Sequence, residues 1–259
     1  MGDHKKPVLR VNSGKIGFVD RKHGQHRVLI EDFDLEVFPG EVVAVLGKSS
    51  CGKSSLLRTI AGFQQPLGGT IEVLGGRADQ QYGTGCLQFL HQIPVIWDHL
   101  TVGRNIEVAC ELLGEEKSQQ EIRDHLAVFS LEQDIEKLGS KMSPGGRARL
   151  ALARVLCKVP KLLLLDEPFA SVDSINRSDL SRRLMDFVQD KGVSLVWITH
   201  DIAEALHYAS KIVVLREDET HERFSNEPLT QGFDENALSA TKLMLRDTIR
   251  TVLRGEVDR

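Results

Sequence analysis

The sequence has no long apolar run. Its most apolar stretches, Val42–Leu46, Leu162–Leu165 and Val193–Ile198, fall far short of the roughly 18–20 residues that cross a bilayer. It also shows no secretory leader: Met1-Gly2-Asp3-His4-Lys5-Lys6 runs into Pro7-Val8-Leu9-Arg10 with no apolar segment after it. Cysteine is scarce: Cys51, Cys86, Cys110 and Cys157 are the four present, and no CxxC pair occurs. That excludes a disulfide framework and a zinc ribbon and points to a reducing compartment. There is no basic excess either. Lys and Arg number 33 against 37 Asp and Glu, a net charge of -4, so no broad attraction draws this chain to nucleic acid. Internal repeats and low-complexity linkers are missing too. These absences predict a cytosolic protein whose membrane role, if it has one, runs through a partner.

What is present suits a stable fold. The 259 residues are 41% hydrophobic and 27% charged, which is ordinary globular composition for one or two domains. A chain of this size buries enough surface to fold without metal or disulfide support. Glu41–Leu46 is short, β-branched and apolar, as a buried strand should be. A helix is expected over Ser54–Ala61, with Leu56, Leu57 and Ile60 at helical spacing. Lys161–Asp166 and Val193–Thr199 are further buried strands, followed by helices over Ser174–Gln189 and Ile202–Ala209. Alternating strands and helices predict an α/β fold with a parallel sheet. Short alternating strands with Gly turns over 8–38 and 69–76 predict an antiparallel part beside it. Residues 101–157 read as a helical insert with Leu126, Phe129 and Leu131 on its apolar face. Over Asp234–Arg254, Leu238, Leu245, Ile249 and Val252 predict a packed C-terminal helix, or else a partner-binding one.

Gly47-Lys48-Ser49-Ser50-Cys51-Gly52-Lys53-Ser54 fits G-x-x-x-x-G-K-[ST], with Ser55 next in the helix. Glycines let the backbone come close to phosphate groups. Successive N–H groups and the positive end of the helix stabilise the anion. Lys53 is placed to reach the β- and γ-phosphates, and Ser54 to ligate Mg²⁺. A second signal lies at Leu162-Leu-Leu-Leu-Asp166-Glu167, an apolar strand ending in adjacent carboxylates. Ligand sites in open α/β sheets lie at strand C-termini. Asp166 suits a Walker B role toward Mg²⁺, and Glu167 can polarise a water.

Together these residues resemble the nucleotide-binding subunit of an ATP-binding cassette (ABC) transporter, over roughly residues 8–217. The resemblance implies a single P-loop cassette of α/β class with an antiparallel β-subdomain and a helical subdomain. Its ATP-binding core would cover 8–92 and 158–217, the helical subdomain about 93–157, and a C-terminal helical tail 218–259. Leu165-Asp-Glu-Pro-Phe-Ala-Ser-Val-Asp173 is similar to the family's Walker B and D-loop. Ile198-Thr-His200-Asp-Ile-Ala-Glu-Ala205 is similar to its switch, with His200 sensing the γ-phosphate alongside Glu167. Counting back from Thr101-Val102 selects Gln92 over Gln88 as the Q-loop glutamine and Mg²⁺ ligand. Phe18 is the candidate that stacks on adenine, with His23 as an alternative and the β-subdomain core as another place for Phe18.

One motif departs from the family. Where its signature reads Leu-Ser-Gly-Gly-Gln, this chain has Met142-Ser143-Pro144-Gly145-Gly146. Ser143 is a good N-cap and Pro144 suits the first helical position. Ser143 and Gly145 would still meet ATP held by a partner cassette; a neutral variant and a slow ATPase are both open. The resemblance further implies two cassettes, a homodimer favoured, with two separate membrane permease subunits and a possible substrate-binding protein. No nucleic acid partner is implied. The chain would then sit on the cytoplasmic face of the membrane. Ile93, Val95, Ile96 and Trp97 are where a permease helix would dock, unless they are core. The wording is most similar to bacterial importer ATPases of the nitrate/sulfonate/taurine group. Exporter, lipid-handling, soluble and regulatory cassettes are the alternatives.

Overall fold

The computed structural model describes residues 6–19, 25–82, 84–170, 172–228 and 240–255. In chain order the strands and helices begin β1 (Leu9–Val19), β2 (His26–Val37), β3 (Val42–Gly47), α1 (Lys53–Ile60), β4 (Gly68–Val73), α2 (Ala78–Tyr82) and β5 (Leu87–Leu90). Then come α3 (Val102–Leu112), α4 (Gln119–Val128), α5 (Pro144–Val155), β6 (Leu162–Asp166), α6 (Ser174–Lys191), β7 (Ser194–Ile198), α7 (Ile202–Tyr208), β8 (Lys211–Leu215), β9 (His221–Ser225) and α8 (Ala240–Arg254).

The larger sheet has six strands in the order β5-β6-β7-β3-β8-β9, and only β9 pairs antiparallel. Its parallel strands are largely apolar because both faces are covered, with Gln88, Asp166, Ser194 and Lys211 as polar exceptions. Alternate residues of each strand feed different cores. On one face, Ala44, Leu163, Trp197 and Val214 pack with the helices α3 to α8. On the other, Val45, Leu164, Val196 and Val213 pack with α1 and the small sheet. That small sheet is antiparallel and three-stranded, in the order β2-β1-β4, where alternation and Gly turns predicted it.

The helical insert is built by α3, α4 and α5 around Leu126, Phe129 and Leu131, each 0% exposed. Capping fixes its helix starts. Ser118 and Glu121 form a reciprocal capping box on α4, and Thr101 caps α3. Ser143 caps α5 by accepting the Gly146 N–H at 3.1 Å, with Pro144 in the first turn.

The C-terminal segment is not helical throughout. β9 extends the sheet before α8, because Arg223 and its neighbours pair with β8. Within α8, Ile249 and Val252 are buried and Leu245 is partly buried against the same core. Leu238, expected on that face, lies outside the described residues.

Candidate ATP site

β3 ends at Gly47, and the loop to α1 turns at the C-terminal edge of the sheet. Two glycines are required there. A Cβ on Gly47 would sit 2.5 Å from Cys51 Sγ and 2.8 Å from the Leu215 carbonyl oxygen. Gly52 has a φ of 98°, in the left-handed region, and a Cβ there would press on Leu29 at 3.0 Å. Cys51 is buried, and that burial pushes its thiol pKa up, so it packs rather than reacts. Lys53 is buried and folds back on the loop, donating to the Gly47 and Lys48 carbonyls at 2.8 and 2.7 Å. Lys48 itself pairs with Glu217 at 3.2 Å.

The neighbouring strand ends supply the rest. Ser54 Oγ donates to Asp166 Oδ1 at 3.0 Å, which joins the start of α1 to the end of β6. Burial raises the pKa of Asp166, the Ser54 hydrogen bond opposing it. Glu167 follows, with φ 46° and its N–H donated to the Ile198 carbonyl. Its carboxylate is held from two sides: His200 Nε2 lies 2.5 Å from Oε1, and Gln92 Nε2 donates to Oε2 at 3.1 Å. Gln88, by contrast, is buried within β5.

A cavity of about 470 Å³ opens over the loop, lined by Ser49, Ser50, Gly52, Lys53, Ser54, Ser55, Gln92, Glu167 and His200. Phe18 lines the same cavity and is 40% exposed, so it is not core. His23, the alternative stacking residue, lies outside the described residues. Ser143 and Gly145 do not line this cavity. The structure therefore gathers the loop, Gln92, Glu167 and His200 and leaves the signature elsewhere.

The chain matches the ABC transporter family model over residues 30–170, more than half its length. It belongs to the ABC transporter family. The cassette is 34% identical over 209 residues to the nitrate import ATP-binding protein NrtC of Synechocystis sp. (78% of this chain, 31% of that one). It is 33% identical over 192 residues to the bicarbonate transport ATP-binding protein CmpD of the same organism (72% of this chain, 67% of that one). The cassette thus spans under a third of the NrtC length. The dimeric structure of the bacterial ABC transporter cassette MJ0796 superposes with a TM-score of 0.73 at 20% identity, covering 85% of this chain and 100% of that one. That likeness is one of fold.

The apolar segment after Gln92 divides. Ile96 is buried, whereas Ile93 and Val95 are 77% and 62% exposed. Trp97 is partly buried against the core. The Arg154 guanidinium lies 3.8 Å from its ring centroid and donates to the Val95 carbonyl. Burial lowers the Arg154 pKa. Trp97 is therefore a packing residue stacked on Arg154, and the exposed apolar atoms belong to its neighbours. Sequence reasoning also missed Arg27 and Leu29, which line the loop cavity from β2. Nothing in their local spacing marks them, because the small sheet folds them over from a distant part of the chain.

Proposed function

We propose that this cassette binds Mg-ATP at the β3–α1 loop and hydrolyses it to power solute import through separate membrane permease subunits. The carrying observation is the convergence of Gln92 and His200 on the Glu167 carboxylate at the mouth of the loop cavity. In this reading Glu167 orients and deprotonates the attacking water. His200 holds that carboxylate and senses the γ-phosphate, and Lys53 leaves the loop carbonyls for the β- and γ-phosphates. Phe18 stacks on the base, and the loop from Gly47 to Ser55 wraps the phosphates.

The residues present fit Mg²⁺. Ser54 and Asp166 offer a hydroxyl and a buried carboxylate already in contact. Among the described residues no cluster of three or more His, Cys, Asp and Glu could hold a metal by itself. A site of one carboxylate completed by substrate phosphates is how Mg²⁺ is commonly held. Ser54, Asp166 and the Gln92 amide oxygen would hold the ion, which when bound neutralises charge on the transferring phosphoryl group.

The separation of Ser143 and Gly145 from the cavity supports a pair of cassettes, each lending its signature to the other's ATP. A homodimer is the simpler arrangement. The proposed division is a core over 8–92 and 158–217, a helical subdomain over 93–157, and a tail over 218–259. Among the described residues no helix is long and apolar enough to cross a membrane. Peripheral attachment to permeases at the cytoplasmic face follows in this reading, with exposed Ile93 and Val95 as the docking patch. The names of the nitrate and bicarbonate relatives support import of a small anion. The test is ATP-driven uptake of nitrate, bicarbonate and sulfate into vesicles holding the cassette with its co-purifying permeases. Uptake that stops when Lys53→Ala is substituted supports the reading; hydrolysis uncoupled from every membrane partner overturns it.

A further inference from the structure

A cavity of about 500 Å³ lies on the other side of the Glu167–His200 pair. Its walls come from the segment after β6, the end of β7 with the turn that follows, and three helices, α6, α7 and α8. Arg177 enters from α6, and Arg246 and Arg250 from α8. The last two are four apart and share one helix face. That helix is docked in place. Ile249 and Val252 are buried, and buried Lys242 donates to the Leu206 carbonyl at 2.9 Å.

The acids in this wall are already engaged. Glu167 is held by His200 and Gln92. Asp201 accepts the Ala203 and Glu204 N–H groups as the cap of α7. Glu204 accepts the Ser181 and Thr199 hydroxyls at 2.8 and 3.0 Å. Asp247, outside the wall, accepts from Arg246 Nε at 3.4 Å and lies 3.7 Å from Arg250 Nη1, long for charge-assisted contacts. Arg177 donates Nη2 to the Val172 carbonyl, but its Nε is buried with no hydrogen-bond partner. Buried donors without acceptors are rare in folded proteins. Arg177 Nε thus lacks an acceptor, the carboxylate beside Arg246 and Arg250 is held only at long distance, and an oxyanion is the group that planar guanidinium forks match best.

We propose that Arg177, Arg246 and Arg250 form a binding site for a small tetrahedral oxyanion, of the phosphate and sulfate class, behind the Glu167–His200 pair. The anion has two possible sources: phosphate cleaved at Glu167, or phosphate and sulfate from the surrounding solution. The site itself does not depend on the proposed ATPase reading; only the first source does.

The probe is inorganic phosphate, titrated calorimetrically into the full-length chain with a non-hydrolysable ATP analogue saturating the β3–α1 loop. Binding to the native chain is expected, and Arg246→Gln/Arg250→Gln should weaken it roughly tenfold or more. No binding to the native chain, or equal binding to the double variant, overturns the site. If the double variant does not fold, Arg250→Gln alone gives the same reading, because Arg250 is half exposed. The sources separate in a single turnover. Faster phosphate release after cleavage in the variant marks the product as ligand. Unchanged release, with loss of inhibition by added sulfate, marks the solution anion. A chain that never cleaves ATP removes the proposed function, and the calorimetric titration still reads the site.

Discussion

Glu167 adopts a left-handed backbone conformation, φ 46°, directly after an extended strand. Such geometry costs about 1–3 kcal/mol in a non-glycine residue and persists where surrounding contacts hold it. Here the Ile198 carbonyl, His200 and Gln92 do so. Glu167→Gln preserves size and the Gln92 contact but removes the carboxylate proposed as the base. ATP binding by fluorescence titration should be retained, and phosphate production should fall about 10²–10⁴-fold; normal turnover would dismiss Glu167 as the base. Glu204 gives a second residue-scale expectation. It is 5% exposed, and burial raises its pKa. The folded state therefore holds its proton more tightly than the unfolded state, and stability from this group falls as pH rises above the ordinary carboxyl range. Chemical denaturation across pH should show that decline in the native chain and a flatter profile in Glu204→Gln.

At the scale of elements, α5 shows why the altered signature still folds. Pro144 occupies the first turn, where its missing N–H has no intrahelical role, and Ser143 keeps its cap to Gly146. Pro144→Gly should lower stability by up to about 1 kcal/mol through the freer unfolded chain. Steady-state ATPase in the assembled complex should not change. A clear rise in turnover would mean that the proline weakens the shared site. The helical insert rests on packing. Phe129 is 0% exposed and lies near His125 and Phe187. Phe129→Ala should cost about 3–5 kcal/mol in urea denaturation, because a fully buried ring between α4 and α6 is lost; a cost within about 0.5 kcal/mol would place the core elsewhere.

For the whole molecule, the phosphate loop, Gln92, Glu167 and His200 share one cavity, while Ser143 and Gly145 lie apart from it. In the proposed homodimer, a second copy would bring its Ser143 and Gly145 to this cavity. Sedimentation of Glu167→Gln should show a dimer with ATP and a monomer without it, because uncleaved nucleotide holds both faces together. A monomer under both conditions would remove the paired-cassette reading.

The β3–α1 loop, the carboxylates at the end of β6 and His200 were legible because each motif is contiguous and sits on an element with a strong local signal. The short continuous apolar runs Val42–Leu46 and Leu162–Leu165 determined buried parallel strands, and the Gly-punctuated alternation over 8–38 determined the antiparallel sheet. The Ser143-Pro144 pair likewise announced the start of α5. What local pattern does not encode is proximity between distant segments. Only the tertiary structure brought Gln92 to Glu167 and stacked Trp97 against Arg154, leaving it partly buried. It alone brought Arg246 and Arg250 beside His200, across a gap of roughly 45–50 residues. Each of those contacts is fixed by how helices pack on the shared sheet, a constraint that acts through space and leaves no periodic trace along the chain.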